Sequence, residues 1–145
     1  VETALASPRA TIRGIHPPVL TDRGLVAAVH ELAARQPLPV TVRVSGSPLP
    51  LPAAIESAAY YVTSETLTNV AKHSAATDAT VRLDYYGRLL VQVADNGRGG
   101  ARNVPGHGVS GLAERIRTAG GTLELTSPPG GPTMLTASLP YAGQA

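Results

Sequence analysis

The sequence predicts an α/β protein: a two-layer α/β sandwich whose mixed, mostly antiparallel sheet carries its helices on one face. Three observations predict it. Segments of helical and of alternating apolar periodicity follow one another along a single chain of 145 residues, the length of one ordinary domain. Most of the strand-like segments fall in hairpin pairs, which favours antiparallel pairing with helices gathered on one side. The hydrophobic share of 43% is enough for one core, yet no apolar run approaches the ~18 residues of a membrane span, and no signal or transit segment is apparent.

Val1–Arg13 shows little periodicity and is broken by Pro8, so it reads as a tail or the severed end of a longer helix. Pro17-Pro18 stops whatever precedes. Thr21 or Asp22 then caps a helix with Leu25, Val26, Val29, Leu32 and Ala33 at helical spacing, closed by Pro37 and Pro39. Val40, Val42 and Val44 alternate with Thr41, Arg43 and Ser45 as a half-buried strand, followed by a proline-rich turn from Gly46 to Pro52. A long helix from about Pro52 to Ser74 places Ile55, Ala59, Val62, Thr66 and Val70 on one stripe. Ala79–Tyr85 and Leu89–Ala94 form a hairpin turning at Gly87 and Arg88. Asp95–Gly111 is a glycine-rich loop region, longer than a compact domain keeps without a purpose. A short helix from about Val109 to Ala119 stops at Gly120-Gly121, and strands Thr122–Thr126 and Thr133–Leu139 flank a Pro-Pro-Gly-Gly turn. No internal repeat is present.

Composition removes several function classes. There is no cysteine, so thiol catalysis, disulfides and zinc-thiolate sites are excluded. Glycine and proline, 15 and 13 residues, stay below the level of low-complexity disorder. The net charge is +2, with no Trp or Phe to stack bases, which argues against a nucleic-acid partner. Lys72 is the sole lysine; every other basic residue is arginine.

Three constellations could carry chemistry. On the long helix Glu65, Asn69, Lys72 and His73 fall on neighbouring parts of one face, because each residue advances about 100°. A carboxylate, an amide, an ammonium and an imidazole there suit a metal–phosphate site, since Mg²⁺ takes one or two protein oxygens and leaves the rest to water and phosphate. The bland alternative is a solvated helix face with its cations near a helix C-terminus. The second is Asp95-Asn96-Gly97-Arg98-Gly99-Gly100 at a strand end: the aspartate can accept from an exocyclic amine, and the glycines let a flat base approach. Alone, Asp-Asn-Gly is more often just a turn. The third is Gly106-His107-Gly108-Val109-Ser110-Gly111 entering a helix, where free amides and the helix dipole attract phosphate. A dinucleotide-binding reading needs a strand directly before it and an acid at a strand end about 20 residues on. Pro105 and a loop precede it, Glu124 lies inside a hairpin strand, and no Lys-Ser or Lys-Thr pair completes a Walker-type loop.

Together these motifs resemble those of the ATP-binding catalytic domain of two-component sensor histidine kinases, in particular the nitrate-sensor-like and desaturase-regulator-like subclass. That domain shares its Bergerat-type ATP-binding fold with DNA gyrase, the ninety-kilodalton heat-shock chaperone and the mismatch-repair protein MutL. Ser64–His73 is similar to the family's asparagine box, Asp95–Gly99 to its first glycine box, and Gly106–Leu112 to its second; the resemblance covers nearly the whole chain from Ile12. Gly14–Leu20, followed by Gly24-Leu25, resembles the junction by which this subclass leaves its dimerisation helices. The expected organisation is therefore a junction over residues 1–20 and an ATP-binding catalytic domain over residues 21–145.

The resemblance implies a role for each position. Asn69 would offer its side-chain oxygen to Mg²⁺ on the ATP phosphates, Lys72 and His73 would contact phosphate, and Glu65 would orient the metal's water or a neighbour. Asp95 would accept from the adenine amino group, selecting ATP over GTP, with Gly97 and Gly99 beneath the base and Thr133 near the adenine. Gly106, Gly108 and Gly111 would hinge a short lid and present amides to phosphate, with His107, Val109 and Leu112 completing the ATP-binding segment. The γ-phosphoryl group would pass to a histidine on a dimerisation helix outside this sequence and then to a response regulator. His30-Glu31 superficially resembles an acceptor pair but belongs to the ATP domain's own helix, and His16 precedes two prolines. The sequence by itself would be monomeric, its parent a homodimer, cytoplasmic in this part and open to a membrane anchor elsewhere. Rival readings are an anti-sigma-factor type protein-serine kinase, which shares these boxes, and a non-catalytic ATP-sensing module.

Overall fold

The computed structural model describes residues 18–73, 76–97, 108–130 and 132–141. In chain order the elements are α1 (Pro18–Ala34), β1 (Val40–Gly46), α2 (Ala53–His73), β2 (Ala79–Tyr85), β3 (Arg88–Asp95), α3 (Gly108–Thr118), β4 (Thr122–Thr126) and β5 (Thr133–Pro140). The strands form one sheet in the order β1-β2-β3-β5-β4. β1 pairs with β2 in parallel, and the other neighbours are antiparallel. This is the mixed sheet expected from the hairpins, with the long helix as the crossover that a parallel pair requires.

The three helices make one layer. α1 packs against β1 and α2, α2 crosses β3 and β5, and α3 packs on β4 and α2. The sheet meets them with side chains of one parity: Val81, Leu83 and Tyr85 of β2, Leu89, Val91 and Val93 of β3, and Leu135, Ala137 and Leu139 of β5 are all buried, as period-2 alternation demands. From above, α2 contributes the stripe Ile55, Ala59, Val62, Thr66 and Val70, all buried. Fully burying each leucine or valine contributes on the order of 1.5–3 kcal/mol, so this interface sets the position of α2. Among the described residues no helix is long and apolar enough to cross a membrane.

Three local expectations are corrected. The first helix does not open at Thr21 or Asp22 but at Pro18, a residue whose fixed φ and missing N–H suit the first helical turn. It is then interrupted at Gly24, with φ 87° and ψ 170°; no neighbour lies within 4 Å of where a Cβ would stand, so the backbone angle, not space, favours glycine there. The β2–β3 reversal lies at Tyr86-Gly87 rather than Gly87-Arg88, with the Tyr86 amide donating to the Arg88 carbonyl at 3.1 Å and Arg88 already paired with Pro140. Finally, α3 starts at Gly108, one residue before the expected Val109, so Gly108 and Gly111 fall in its first helical turns.

α3 ends as its sequence predicts. The Gly121 amide donates to the Ile116 carbonyl at 2.9 Å and the Gly120 amide to the Arg117 carbonyl at 3.0 Å. Together with φ 89° at Gly120, these bonds are a Schellman cap.

Candidate functional site

The register of the sheet creates the site. Row by row, the helix-facing side is apolar until its last row, where Val40 pairs with Ala79, Ala79 with Asp95, and Asp95 with Thr133. Directly opposed residues of an antiparallel pair share a face with Cα atoms about 4.5–5.5 Å apart. Asp95 and Thr133, separated in sequence by the whole of α3 and β4, therefore stand side by side. Asp95 is 5% exposed. A carboxylate that deep must be met by hydrogen bonds, yet among the described residues it accepts one, from the Gly97 amide to Oδ1 at 2.7 Å. Its Oδ2 is left available as an acceptor. Gly97 is itself buried against this carboxylate.

α2 runs across the sheet toward this row. Its N-terminal turn carries Glu56, which lines a cavity together with Tyr85 at the far end of β2, whereas its C-terminal end leads within a few residues to Ala79. The last turns of α2 are thus at the Asp95 end of the sheet. Glu65 and Asn69, one turn apart, are half-buried there, and Lys72 is exposed. No hydrogen bond or ion pair engages the Asn69 amide, the Glu65 carboxylate or the Lys72 ammonium among the described residues, so all three remain free to meet a ligand. His73 closes the helix, with its side chain outside the described residues.

Gly108 and Val109 open α3, Gly111 is exposed, and Leu112 is buried in the core. The first four amides of a helix lack intrahelical partners, and the basic Arg115 and Arg117 in the last turn complement the dipole at the other end. α3 is also tied to α2 by the Arg115 guanidinium, 4.3 Å from the centre of the Tyr61 ring. Gly99, Gly106 and His107, with the lid expected between Gly100 and Gly106, lie outside the described residues.

Three contributors escaped the sequence reading. Asn96 clamps the α2–β2 connection to the end of β3: its Oδ1 accepts from the Thr77 and Asp78 amides at 2.9 and 3.2 Å, and its Nδ2 donates to Thr77 Oγ1 at 2.7 Å. The signal was the Asp-Asn-Gly triplet, in which the sequence assigns roles to Asp95 and Gly97 and none to Asn96. Ser127 holds Thr133, with their hydroxyls 2.6 Å apart; nothing in its local sequence marks it. Thr66, counted as part of the apolar stripe, is 8% exposed with an Oγ1 that has no partner among the described residues.

The arrangement offers an acceptor for an amine at Asp95 and a free amide oxygen at Asn69. Mg²⁺ needs only one or two protein oxygens when phosphates supply others.

The chain is similar in sequence and in fold to known proteins. The sensor histidine kinase NarS of Mycobacterium tuberculosis is 36% identical over 81% of this chain and 30% of its own length. The sensor histidine kinase MctS of Rhizobium johnstonii is 32% identical over 94% of this chain and 32% of its own. The chain thus spans about a third of these relatives. A histidine kinase domain from the blue-light activated histidine kinase of Erythrobacter litoralis superimposes over 84% of this chain and 63% of that one, with a TM-score of 0.58 and 23% identity, which speaks for the fold. Residues 54–143, from the start of α2 through β5, match the model of the histidine kinase-, DNA gyrase B- and HSP90-like ATPases, and the chain belongs to that family.

Proposed function

We propose that this domain binds Mg·ATP at the Asp95 end of its sheet and transfers the γ-phosphoryl group to a histidine on a dimerisation helix outside this sequence, for relay to a response regulator. The observation that carries the reading is the Asp95 carboxylate, buried at the end of an otherwise apolar face, with one oxygen fixed by the Gly97 amide and the other uncommitted among the described residues. Such an oxygen accepts from the amino group of adenine and meets a carbonyl in guanine. Family membership and relatives named as sensor histidine kinases support the kinase reading over the serine-kinase and sensing alternatives.

Each residue then does a limited task, because phosphoryl transfer asks a protein chiefly for positioning and charge stabilisation. Thr133, held by Ser127, stands beside Asp95 to orient the base. Gly97, buried against the Asp95 carboxylate, would lie beneath the base, and the family resemblance assigns Gly99, outside the described residues, to the same role. Asn69 would hold Mg²⁺, which when bound neutralises phosphate charge, with Glu65 orienting the metal's water. Lys72 offers a compact ammonium where the chain otherwise uses arginine. The first-turn amides of α3, from Gly108 and Val109 through Gly111 and Leu112, would meet the phosphates; His73, Gly106 and His107, whose placement in the site lies outside the described residues, would join them as the resemblance implies.

Calorimetric titration with a non-hydrolysable ATP analogue and Mg²⁺, with GTP and Asp95→Asn as controls, tests the site. Adenine-selective binding that Asp95→Asn weakens by at least tenfold is expected, consistent with losing a charged hydrogen bond of about 1.5–3 kcal/mol. Equal affinity for GTP, or an unaffected Asp95→Asn chain, rejects it.

A further inference from the structure

At the opposite end of α2 from Asn69 lies the cavity that Glu56 and Tyr85 line, of about 510 Å³. Glu56 and Asn69 are separated by about 20 Å along the helix at 1.5 Å per residue, so this cavity is separate from the proposed nucleotide site. It opens where α1 is interrupted at Gly24 and the proline-rich segment after β1 passes over the sheet. Its walls are Leu20 and Leu25 from the two sides of the interruption, Leu49 and Pro50 from the proline-rich segment, and Glu56 from α2; Tyr85 closes it from the sheet. Leu20 and Leu25 are 3% exposed, whereas Leu49, at the lip, is 43% exposed.

Tyr85 makes this more than a surface fold. The residue is 5% exposed, and its hydroxyl has no hydrogen-bond partner among the described residues. It is not sealed in the core as the Thr66 hydroxyl is, so the oxygen meets the cavity. A buried phenol normally finds a partner for its O–H. Here the partner has to come from whatever fills the space. The local charge narrows the class further. The Glu56 carboxylate, which receives the Leu51 amide at 3.2 Å, stands in the wall and disfavours an anion. Arg23, the cation on the lining, is already held by Glu31 at 2.8 Å.

We propose that this cavity binds a small, uncharged, largely apolar molecule carrying a carbonyl or similar acceptor oxygen, to which the Tyr85 hydroxyl donates. The volume falls in the range of small-molecule sites, and apolar walls with one or two placed polar groups are their usual composition. Binding here does not depend on nucleotide.

The test is a ¹H–¹⁵N NMR titration of the whole chain with camphor, a rigid neutral ketone, against the anionic camphorsulfonate. Saturable shifts at the amides of Leu25, Leu49, Leu51 and Tyr85 are expected with camphor and not with camphorsulfonate. Tyr85→Phe keeps the ring and should weaken camphor about fivefold, the effect of one neutral hydrogen bond. Leu49→Ala, at the exposed lip, should weaken it without perturbing the fold. Absence of saturable shifts with the spectrum otherwise native overturns the proposal, as does equal affinity of Tyr85→Phe and the parent chain. Unchanged binding of the ATP analogue during the titration separates this result from any failure at the Asp95 end.

Discussion

The Thr66 hydroxyl sits on the sheet-facing stripe of α2, one turn before Asn69, without a partner among the described residues. A buried hydroxyl left unsatisfied lowers stability by about 1–3 kcal/mol, and replacing it by an apolar group of the same shape is close to neutral or favourable. Thr66→Val should therefore leave the urea midpoint unchanged or raised. If a bound nucleotide or its water shell supplies the missing partner, the same variant binds the ATP analogue more weakly; denaturation and calorimetry on one preparation separate the two effects. Tyr85 carries a different prediction. Burial, and then the nearby Glu56 carboxylate, push its phenol up to about 12 from an ordinary value of 10.0. The folded state thus holds this proton more tightly than the unfolded chain. Its contribution to stability is complete below pH 10 and is lost as pH rises through about 12. Urea midpoints between pH 9 and 12 should fall more steeply for the parent chain than for Tyr85→Phe.

Among the elements, α2 and the two hairpins were legible in the sequence because their signals are local: the stripe from Ile55 to Val70 recurs at helical spacing, and Val81, Leu83, Val91 and Val93 alternate. The interruption of α1 at Gly24 was not, since Thr21 and Asp22 supply a plausible local cap and the continuation back to Pro18 depends on Leu20 entering the core. Asp95 and Asn69 were chosen on chemistry within their own segments. Their support was invisible, because Asn96 reaches residues of the preceding connection and Ser127 is brought to Thr133 by the turn between β4 and β5. The C-terminus of α3 gives a test at this scale. Gly120 has φ 89° with open space around the missing Cβ, so Gly120→Ala adds backbone strain alone and should destabilise the chain by about 1 kcal/mol. A thermal melt unchanged by the substitution would show that the cap contributes nothing.

At the scale of the molecule, the proposed kinase chemistry needs an acceptor histidine on a segment other than the one described. Neither His30, which lies on α1 of the proposed ATP domain itself, nor His16, which precedes Pro17-Pro18 in sequence, is proposed as the acceptor. This 145-residue chain, incubated alone with Mg·ATP, is expected to gain no acid-labile phosphate, and to transfer phosphate when histidine-bearing dimerisation helices of a relative are supplied in trans. Acid-labile label on the isolated chain would contradict the assignment of the acceptor to another segment. Label stable to acid in the trans reaction would move the chain toward the serine-kinase alternative.

The parallel pairing of β1 with β2 has a consequence for how the fold is reached. The β2–β3 hairpin closes over a two-residue reversal and can form within microseconds, while β1 has to wait for α2 to be made and packed before its partner arrives. On a ribosome adding about 5–20 residues per second that interval is on the order of seconds. Throughout it Val40-Thr41-Val42-Arg43-Val44 emerges as an unpaired, valine-rich strand, the type of segment that joins other chains edge to edge. Arg43, in the middle of it and exposed in the finished sheet, places a charge where such a mispaired strand would have to stack. Its replacement by valine would leave the native fold nearly untouched and show itself as insoluble nascent protein.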